Sequence, residues 1–334
     1  MPQAGPGEVL VKVAWCGVCG SDLPRIFTTG AHRHPLIPGH EFSGTIARAA
    51  DDVQGLPAGR HVVVFPLLWC GRCAACERGS YAQCANYDYL GSRRDGAFAE
   101  YVACPARNIR ACPDGVDLDV AAMAEPASVA LHAVRRVLHR LAGATVAVFG
   151  VGPIGNMAAQ WSRAMGAANV LVFDVSPERL ELARSIGLVN AYDSATCSAA
   201  EVVRGFAPSG ADVCIEAAGV PATLREACKA VGPGGIVVLL GNPSADVLMP
   251  SSVISHLLRT EAAMVGVWNS SFRVYDRGDD WDAVLQAMAA GNLEVKPLVS
   301  HRVTLGDGAE TLRRMASGEG GFGKVLIGGG GCPK

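Results

Sequence analysis

The stretch TVAVFGVGPIG, residues 145–155, decides the fold class. Val146 to Phe149 is a continuous apolar run, the pattern of a strand buried on both faces. Glycines follow at 150, 152 and 155, and Pro153 opens a helical run, so the strand turns directly into a helix. G-x-G-x-x-G alone is a weak signal, but here a strand precedes it and a helix follows, which is the setting of a dinucleotide-binding turn. Such glycines let the backbone approach a pyrophosphate, and the helix N-terminus offers it unpaired N–H groups and positive potential. The next strand ends in Asp174, about twenty residues on. A carboxylate there accepts hydrogen bonds from ribose hydroxyls and repels a 2′-phosphate, so NAD is expected over NADP. Arg179 lies a turn into the following helix. The candidate cofactor set is Gly150, Gly152, Pro153, Ile154, Gly155, Asp174 and Arg179. The competing reading is an ordinary tight turn, with Asp174 capping the helix that begins at Ser176-Pro177.

Outward from this turn the α/β texture continues. Strands are expected at Asn169–Phe173, Asp212–Glu216, Ile236–Leu240 and Ala263–Trp268, with helices over Ile154–Met165, Pro177–Ile186 and Ala222–Val231. Apolar strands separated by helices imply a parallel sheet covered on both faces. Upstream, Pro126–Leu141 reads as a helix. Residues 8–112 are short apolar runs broken by Gly and Pro, the mark of a β-rich domain. After Trp268 come helices over Trp281–Ala290 and Ala309–Ala316, and strands at Val299–Val303 and Lys324–Ile327. They are too few for a domain and are expected to return to the first one. The expected division is 1–124 with 270–334 as a β-rich domain, and 125–269 as the dinucleotide-binding domain. Gly328 to Gly331 read as a frayed tail.

Composition narrows the function. The 334 residues are half hydrophobic and 18% charged, with a net charge of -2, so no basic stripe suggests a nucleic-acid partner. No apolar segment is long enough to span a membrane, and the N-terminus lacks the pattern of a secretory signal. A cytoplasmic location is expected. Twelve cysteines there point to metal or thiol chemistry rather than disulfides.

Four of these cysteines, Cys70, Cys73, Cys76 and Cys84, have the spacing C-x2-C-x2-C-x7-C. Four thiolates close a tetrahedral zinc site and leave no position for substrate, so this site is read as structural. An iron–sulfur loop competes, but the bacterial ferredoxin run brings its fourth cysteine three residues on and follows it with proline; here the gap is seven and Ala85 follows. A zinc-ribbon module for nucleic acid would need basic residues that the flanks do not supply.

A second constellation pairs Cys16-Gly-Val-Cys19-Gly-Ser21-Asp22 with Gly39-His40-Glu41-Phe-Ser-Gly44. Singly, a cysteine is usually a small core hydrophobe and a histidine an ordinary hydrogen-bonded residue. Together, Cys19, His40 and Glu41 supply a thiolate, an imidazole and a carboxylate, a set that binds zinc and leaves a position open. A metal there would acidify a hydroxyl, and the reaction class is hydride transfer to the nicotinamide. Ser21 is placed to start the proton's path to solvent, and Asp22 to orient a ligand.

On these motifs the chain resembles the medium-chain, zinc-containing alcohol and polyol dehydrogenases. GHEFSGTIARAADDV matches their zinc signature, and the four-cysteine loop their structural lobe. CGSDLPRIF, GSRRDGAFAEY and EPASVALHA resemble the family's polyol branch. The resemblance implies a GroES-like catalytic domain, a Rossmann domain, two zinc ions per subunit (catalytic and structural), and a homodimer or homotetramer. It also implies that Glu125 joins the catalytic ligands. The substrate expected is a secondary hydroxyl of a polyol or sugar, including a sugar phosphate such as galactitol 1-phosphate. Arg25, His32, Arg33, His34, Arg93 and Arg94 are the cations available for a phosphate. An unphosphorylated cyclitol or amino-sugar, or a non-catalytic zinc scaffold, are the alternatives. The family usually opens with a further strand pair, so near GPGEVLVKV two alternatives stand: the start of the chain is assigned late, or the first hairpin is missing and a sheet edge is exposed. The loop NSSFRVYDRGDDW departs from the family and is expected to bear on substrate choice.

Overall fold

A computed structural model describes residues 1–275, 278–319 and 321–330. The chain divides into two units, one of residues 1–128, 270–291 and 298–334, the other of 129–269 and 292–297.

The elements run in chain order. Strand β1 is Glu8–Gly17, followed by helix α1 (Asp22–Phe27), β2 (Glu41–Ala49), β3 (His61–Val64), β4 (Leu67–Leu68), α2 (Ala74–Glu77), β5 (Asp88–Tyr89), β6 (Tyr101–Pro105), β7 (Ile109–Ala111) and α3 (Leu118–Ala121). Then come α4 (Ala124–Arg135), β8 (Thr145–Phe149), α5 (Pro153–Ala164), β9 (Asn169–Asp174), α6 (Pro177–Ser185), β10 (Asn190–Asp193), α7 (Ala199–Phe206), β11 (Ala211–Glu216), α8 (Pro221–Ala230), β12 (Val231–Leu239), α9 (Ser251–Thr260) and β13 (Ala263–Gly266). The chain closes with α10 (Asp280–Ala289), β14 (Val299–Thr304), α11 (Leu305–Ala316) and β15 (Lys324–Gly328).

In the first unit β1 is the organising strand. Its alternate residues Val9, Val11 and Val13 are buried beside Phe42, Ile46, Val62 and Val64. Along one side it pairs with β2, and along the other with β6 at Glu8–Lys12 and with β15 at Trp15–Gly17. Both sides of β1 are therefore covered, so of the two alternatives the exposed edge is not found on this strand. The tail expectation also fails where it is described. Gly328 belongs to β15, and the Gly329 N–H donates to the Ala14 carbonyl at 3.1 Å. A side chain on Gly329 would meet the Val13 carbonyl at 2.3 Å, so this glycine is there for close backbone contact rather than freedom. Gly331 lies outside the described residues. The 270–291 segment is fixed in this unit by Phe272 stacked on Phe65 at 4.5 Å, by the fully buried Trp281, and by Arg110 on Asp279 at 2.7 Å.

The second unit is a six-stranded parallel sheet in the order β10-β9-β8-β11-β12-β13. That order, reversing at β8 and β11, is the doubly wound Rossmann arrangement. Thr145 to Phe149 and Val170 to Phe173 are buried, as continuous apolar strands between helix layers must be. Helix starts carry their own signals: Pro153 and Pro177 stand in first turns, and the Ser176 and Ser198 hydroxyls accept from the N–H groups of Arg179 and Glu201. Residues 292–297 join this unit through Gln160, whose amide donates to the Glu294 carbonyl at 3.0 Å and accepts from its N–H at 2.8 Å. Three elements of this unit lie outside the expectations from sequence, β10, α7 and α9. The expected helix to Leu141 was too long, because α4 ends at Arg135 and the chain continues as a 3-10 turn at Leu138–Arg140.

Candidate metal centre and nucleotide turn

Sheet register brings the first motif together. Gly17, the last residue of β1, pairs with Glu41, the first of β2, so the loop after one strand faces the loop before the other. The Cys19 loop is closed on itself: the Asp22 N–H donates to the Cys19 carbonyl, and the Cys19 N–H to Asp22 Oδ2, both at 3.0 Å. Before His40 stands Gly39, at φ +94°, where a side chain would sit 2.7 Å from Phe98 and 2.8 Å from Cys16 Sγ. Only glycine fits that conformation and that space.

The Cys19 thiol, a His40 ring nitrogen and a Glu41 carboxylate oxygen lie within 4.8 Å of one another. His40 and Glu41 are buried, 5% and 0% exposed. Glu41 Oε1 has no hydrogen-bond partner among the described residues, although it is buried. An unpartnered carboxylate oxygen beside a thiol and an imidazole suits a metal cation, so the donor set fits zinc. Asp22, fully buried, places Oδ1 3.5 Å from His40 Nδ1, an ion-pair distance rather than a hydrogen bond. Burial disfavours the charged imidazole, yet Asp22 outweighs it and lifts the His40 pKa well above the usual value. With Asp22 on the Nδ1 side, Nε2 is the nitrogen left for a metal. The Ser21 hydroxyl donates to Cys19 Sγ at 3.3 Å and is exposed.

Two neighbours were not visible in the sequence. Lys324 Nζ donates to Glu41 Oε2 at 2.6 Å and to the Val18 carbonyl at 3.0 Å. A lysine opening an otherwise apolar, buried strand was the available signal, since such a lysine needs a buried partner. The other is Tyr89, whose hydroxyl donates to Glu125 Oε1 at 3.3 Å and whose ring meets His40 edge-on at 5.7 Å. Glu125, in the first turn of α4, stands outside the group formed by Cys19, His40 and Glu41. Burial pushes its carboxyl up to about 7, against the opposing pull of His40.

The second cluster gathers Cys70, Cys73, Cys76 and Cys84 around α2. The Sγ separations are 4.0 Å for Cys70–Cys76, 3.5 Å for Cys73–Cys76 and 3.9 Å for Cys73–Cys84. Four sulfurs about 2.3 Å from one zinc ion stand about 3.8 Å apart, so the cluster fits a single tetrahedral ion. Backbone N–H groups stabilise two of the thiolates, while burial pushes the Cys76 thiol up to about 12. The N–H groups of Ala85 and Cys76 bring the Cys73 thiol down to about 6, and that of Arg72 lowers Cys70.

In the second unit Gly150, at φ +89°, follows β8, and Gly152 precedes α5. A side chain on Gly155 would sit 1.9 Å from the Gly150 carbonyl, so the third glycine sets how closely the helix meets the turn. Asp174 is buried at the end of β9. Its Oδ2 accepts from the Val151 N–H at 2.8 Å, and its Oδ1 from the Val175 and Ser176 N–H groups at 2.9 and 3.0 Å. Arg179 is half exposed, with Nη1 3.7 Å from Asp174 Oδ2. Pro153 and Ile154 form the first turn of α5.

Most of the cations expected to serve a phosphate are already engaged. Arg25 pairs with Asp22 at 2.7 Å, Arg33 with Asp95 at 3.4 Å, and Arg94 lies 3.8 Å from Glu8. Arg93 lies over the Tyr87 ring. Arg25 and His34 also line a cavity of about 410 Å³ with Leu36, Phe98, Leu305 and Leu312.

With these two metal-suited clusters and the glycine turn in place, comparison with known proteins is direct. The family model of the alcohol dehydrogenase GroES-like domain matches residues 5–114, and that of the zinc-binding dehydrogenases matches 153–290. Galactitol 1-phosphate 5-dehydrogenase of Escherichia coli K12 is 37% identical over 315 residues, covering 92% of this chain and 89% of the relative. The crystal structure of galactitol-1-phosphate dehydrogenase from Escherichia coli superposes with a TM-score of 0.90 at 36% identity, over 98% of this chain and 94% of that one. L-threonine 3-dehydrogenase of Streptomyces avermitilis is 37% identical, with 98% and 93% covered. Sorbitol dehydrogenase of Bacillus subtilis is 32% identical, with 94% and 88% covered. Sequence, fold and the paired cysteine motifs agree that the chain belongs to the zinc-binding, medium-chain alcohol dehydrogenase family.

Proposed function

We propose that the chain oxidises a secondary hydroxyl of a polyol or sugar derivative and passes the hydride to NAD. The observation that carries this reading is the buried group of Cys19, His40 and Glu41, with Glu41 Oε1 unpartnered. These three residues would hold the catalytic zinc, with Glu125 as an exchangeable partner. When bound, the metal supplies a Lewis acid that lowers the pKa of the substrate hydroxyl. The chain's own residues do the rest. Asp22 orients His40, and its link to the Cys19 N–H keeps both donors in one loop. Ser21 Oγ, exposed to solvent, turns from Cys19 to accept the hydroxyl proton as its own proton passes to water. Cys70, Cys73, Cys76 and Cys84 would hold the structural zinc.

In the nucleotide unit, the turn at Gly150–Gly155 receives the pyrophosphate, and Asp174 and Arg179 the adenosine ribose. The three backbone N–H groups on Asp174 fix its carboxylate at the end of β9. Asp174→Ala is expected to lower the NAD-over-NADP ratio of kcat/KM by roughly 10- to 100-fold, the value of a charge-assisted hydrogen bond. An unchanged ratio, measured with both cofactors on one substrate, would remove Asp174 from this role.

Within the substrate class, an unphosphorylated polyol, sugar or cyclitol is the second reading. It is favoured by the pairing of Arg25 with the buried Asp22 at 2.7 Å, which commits that cation, while the exposed Arg33 and Arg94 make only long surface pairs. The test is NADH absorbance during turnover of polyols, cyclitols, L-threonine and galactitol 1-phosphate. Turnover of a polyol or sugar substrate supports the reading. Oxidation of L-threonine alone would replace it, and a strong preference for galactitol 1-phosphate over galactitol would dismiss the unphosphorylated class.

The chain is expected to work as a homodimer in the cytoplasm. No helix among the described residues is long and apolar enough to cross a membrane, and a four-thiol site suits a reducing compartment; recovery in the membrane or periplasmic fraction would contradict this location. At the edge of its sheet, β13 exposes Met264, with Trp268 and Leu258 exposed as well. An open strand edge with apolar side chains is a template for a second copy. Met264→Lys with Trp268→Lys is expected to give a monomer by sedimentation, and an unchanged dimer mass would place the interface elsewhere.

A further inference from the structure

The reading of Cys19, His40 and Glu41 as a metal site leaves one buried charge without a task. Lys324 is the first residue of β15, and Val325, Leu326 and Ile327 after it are apolar and buried. Its own side chain is 6% exposed. Burying an ammonium is costly, and an apolar residue of similar volume usually serves packing as well or better. Among the described residues the cation donates to two atoms, Glu41 Oε2 at 2.6 Å and the Val18 carbonyl at 3.0 Å, both bordering the Cys19 loop. Gly17 makes the room: a side chain there would sit 2.3 Å from the same Glu41 oxygen. The two carboxylate oxygens are thus unequal, Oε2 held by lysine and Oε1 unpartnered.

We propose that Lys324 is a positioning residue for Glu41: it holds one carboxylate oxygen and offsets one of the two negative charges that Cys19 and Glu41 bring, so that Glu41 is a weak, single-oxygen ligand. A weak third ligand keeps the coordination position for substrate open, and the retained positive charge keeps the metal electron-poor. Without the ammonium, Glu41 turns both its charge and its oxygens to the metal, which binds more tightly.

This inference rests on the metal-site reading. Its test is the rate at which zinc-loaded protein loses the metal to a chelator, with Cys19→Ala identifying which of the two ions is followed. The visible spectrum of cobalt-substituted protein reports coordination alongside. Lys324→Met is expected to slow loss of this ion about tenfold or more, within the range by which neighbours of metal ligands change affinity. It is also expected to alter the cobalt spectrum, whereas Lys324→Arg keeps the wild-type rate and spectrum. If Lys324→Met does not fold, Lys324→Gln removes the charge, retains a donor for Val18, and is expected to behave the same way. Loss from the uncharged variant at the wild-type rate or faster, or an arginine variant that behaves like methionine, overturns the role of Lys324 while the metal site stands. A wild-type protein with no metal that depends on Cys19 overturns both.

Discussion

Cys19→Ala and His40→Ala are each expected to abolish turnover while NAD still binds. Each variant removes one of the three donors that stand within 4.8 Å of one another. A Lewis acid at this position supplies several kcal/mol toward the developing charge, and each 1.36 kcal/mol is a factor of ten. A fall in kcat/KM of at least roughly three orders of magnitude follows. The residues proposed to receive NAD, from Gly150 to Arg179, belong to the other unit, so its dissociation constant should stay within about twofold. Steady-state NADH production and cofactor titration measure the two halves separately. Turnover surviving either substitution would show that the metal is held elsewhere. Loss of NAD binding along with turnover would mean that the variant had damaged more than the site.

The second large effect concerns the four-cysteine lobe, and it is an effect on stability. Cys84→Ser leaves three sulfurs where a closed tetrahedral site needs four. The bound metal count is expected to fall from two to one per chain. Structural zinc sites contribute about 10–16 kcal/mol in small peptides, comparable with the whole stability of a domain. Here the lobe is also braced by packing. Tyr81, just before Cys84, stacks on Trp69 at 4.2 Å, and Arg107 lies over the other member of that pair at 4.3 Å from the Trp69 ring. Part of the cost is therefore spread over neighbours, and a loss of about 3 kcal/mol is expected, lowering Tm by about 6–12 °C. Thermal unfolding with metal analysis checks it, and Trp69 fluorescence should report the lobe opening. A wild-type protein that contains iron and absorbs visible light would return the loop to iron–sulfur chemistry.

The sequence made much of this legible because the relevant signals are local. A strand, a glycine turn and a helix within residues 145–164 carry both their own secondary structure and the chemistry of the turn. The same is true of the four cysteines, whose spacing places all the donors on one short loop. Elements without such punctuation were lost. Strand β10, NAYD, is only four residues with polar ends, and α7 is only eight residues, shorter than the window in which a helical period can be read. The end of α4 has no glycine or proline at Arg135, so the pattern was extended to Leu141. The glycines at 328 and 329 looked like a tail because composition does not tell a flexible glycine from one needed for close approach to a neighbouring strand.

By itself, the sequence determined the α/β nucleotide unit and the two clusters of metal-suited donors. Each depends on residues close in the chain, or on ligand types too unusual in combination to arise by packing. The tertiary structure decided what surrounds those donors. Lys324 reaches Glu41 across 283 positions of sequence, and Tyr89 reaches Glu125 across 36. The first pairing follows from strand register, β15 against β1 and β1 against β2, and the second from the placement of β5 beside the first turn of α4. Register is a property of the assembled sheet, set by which faces are buried together, and no short stretch of chain contains it.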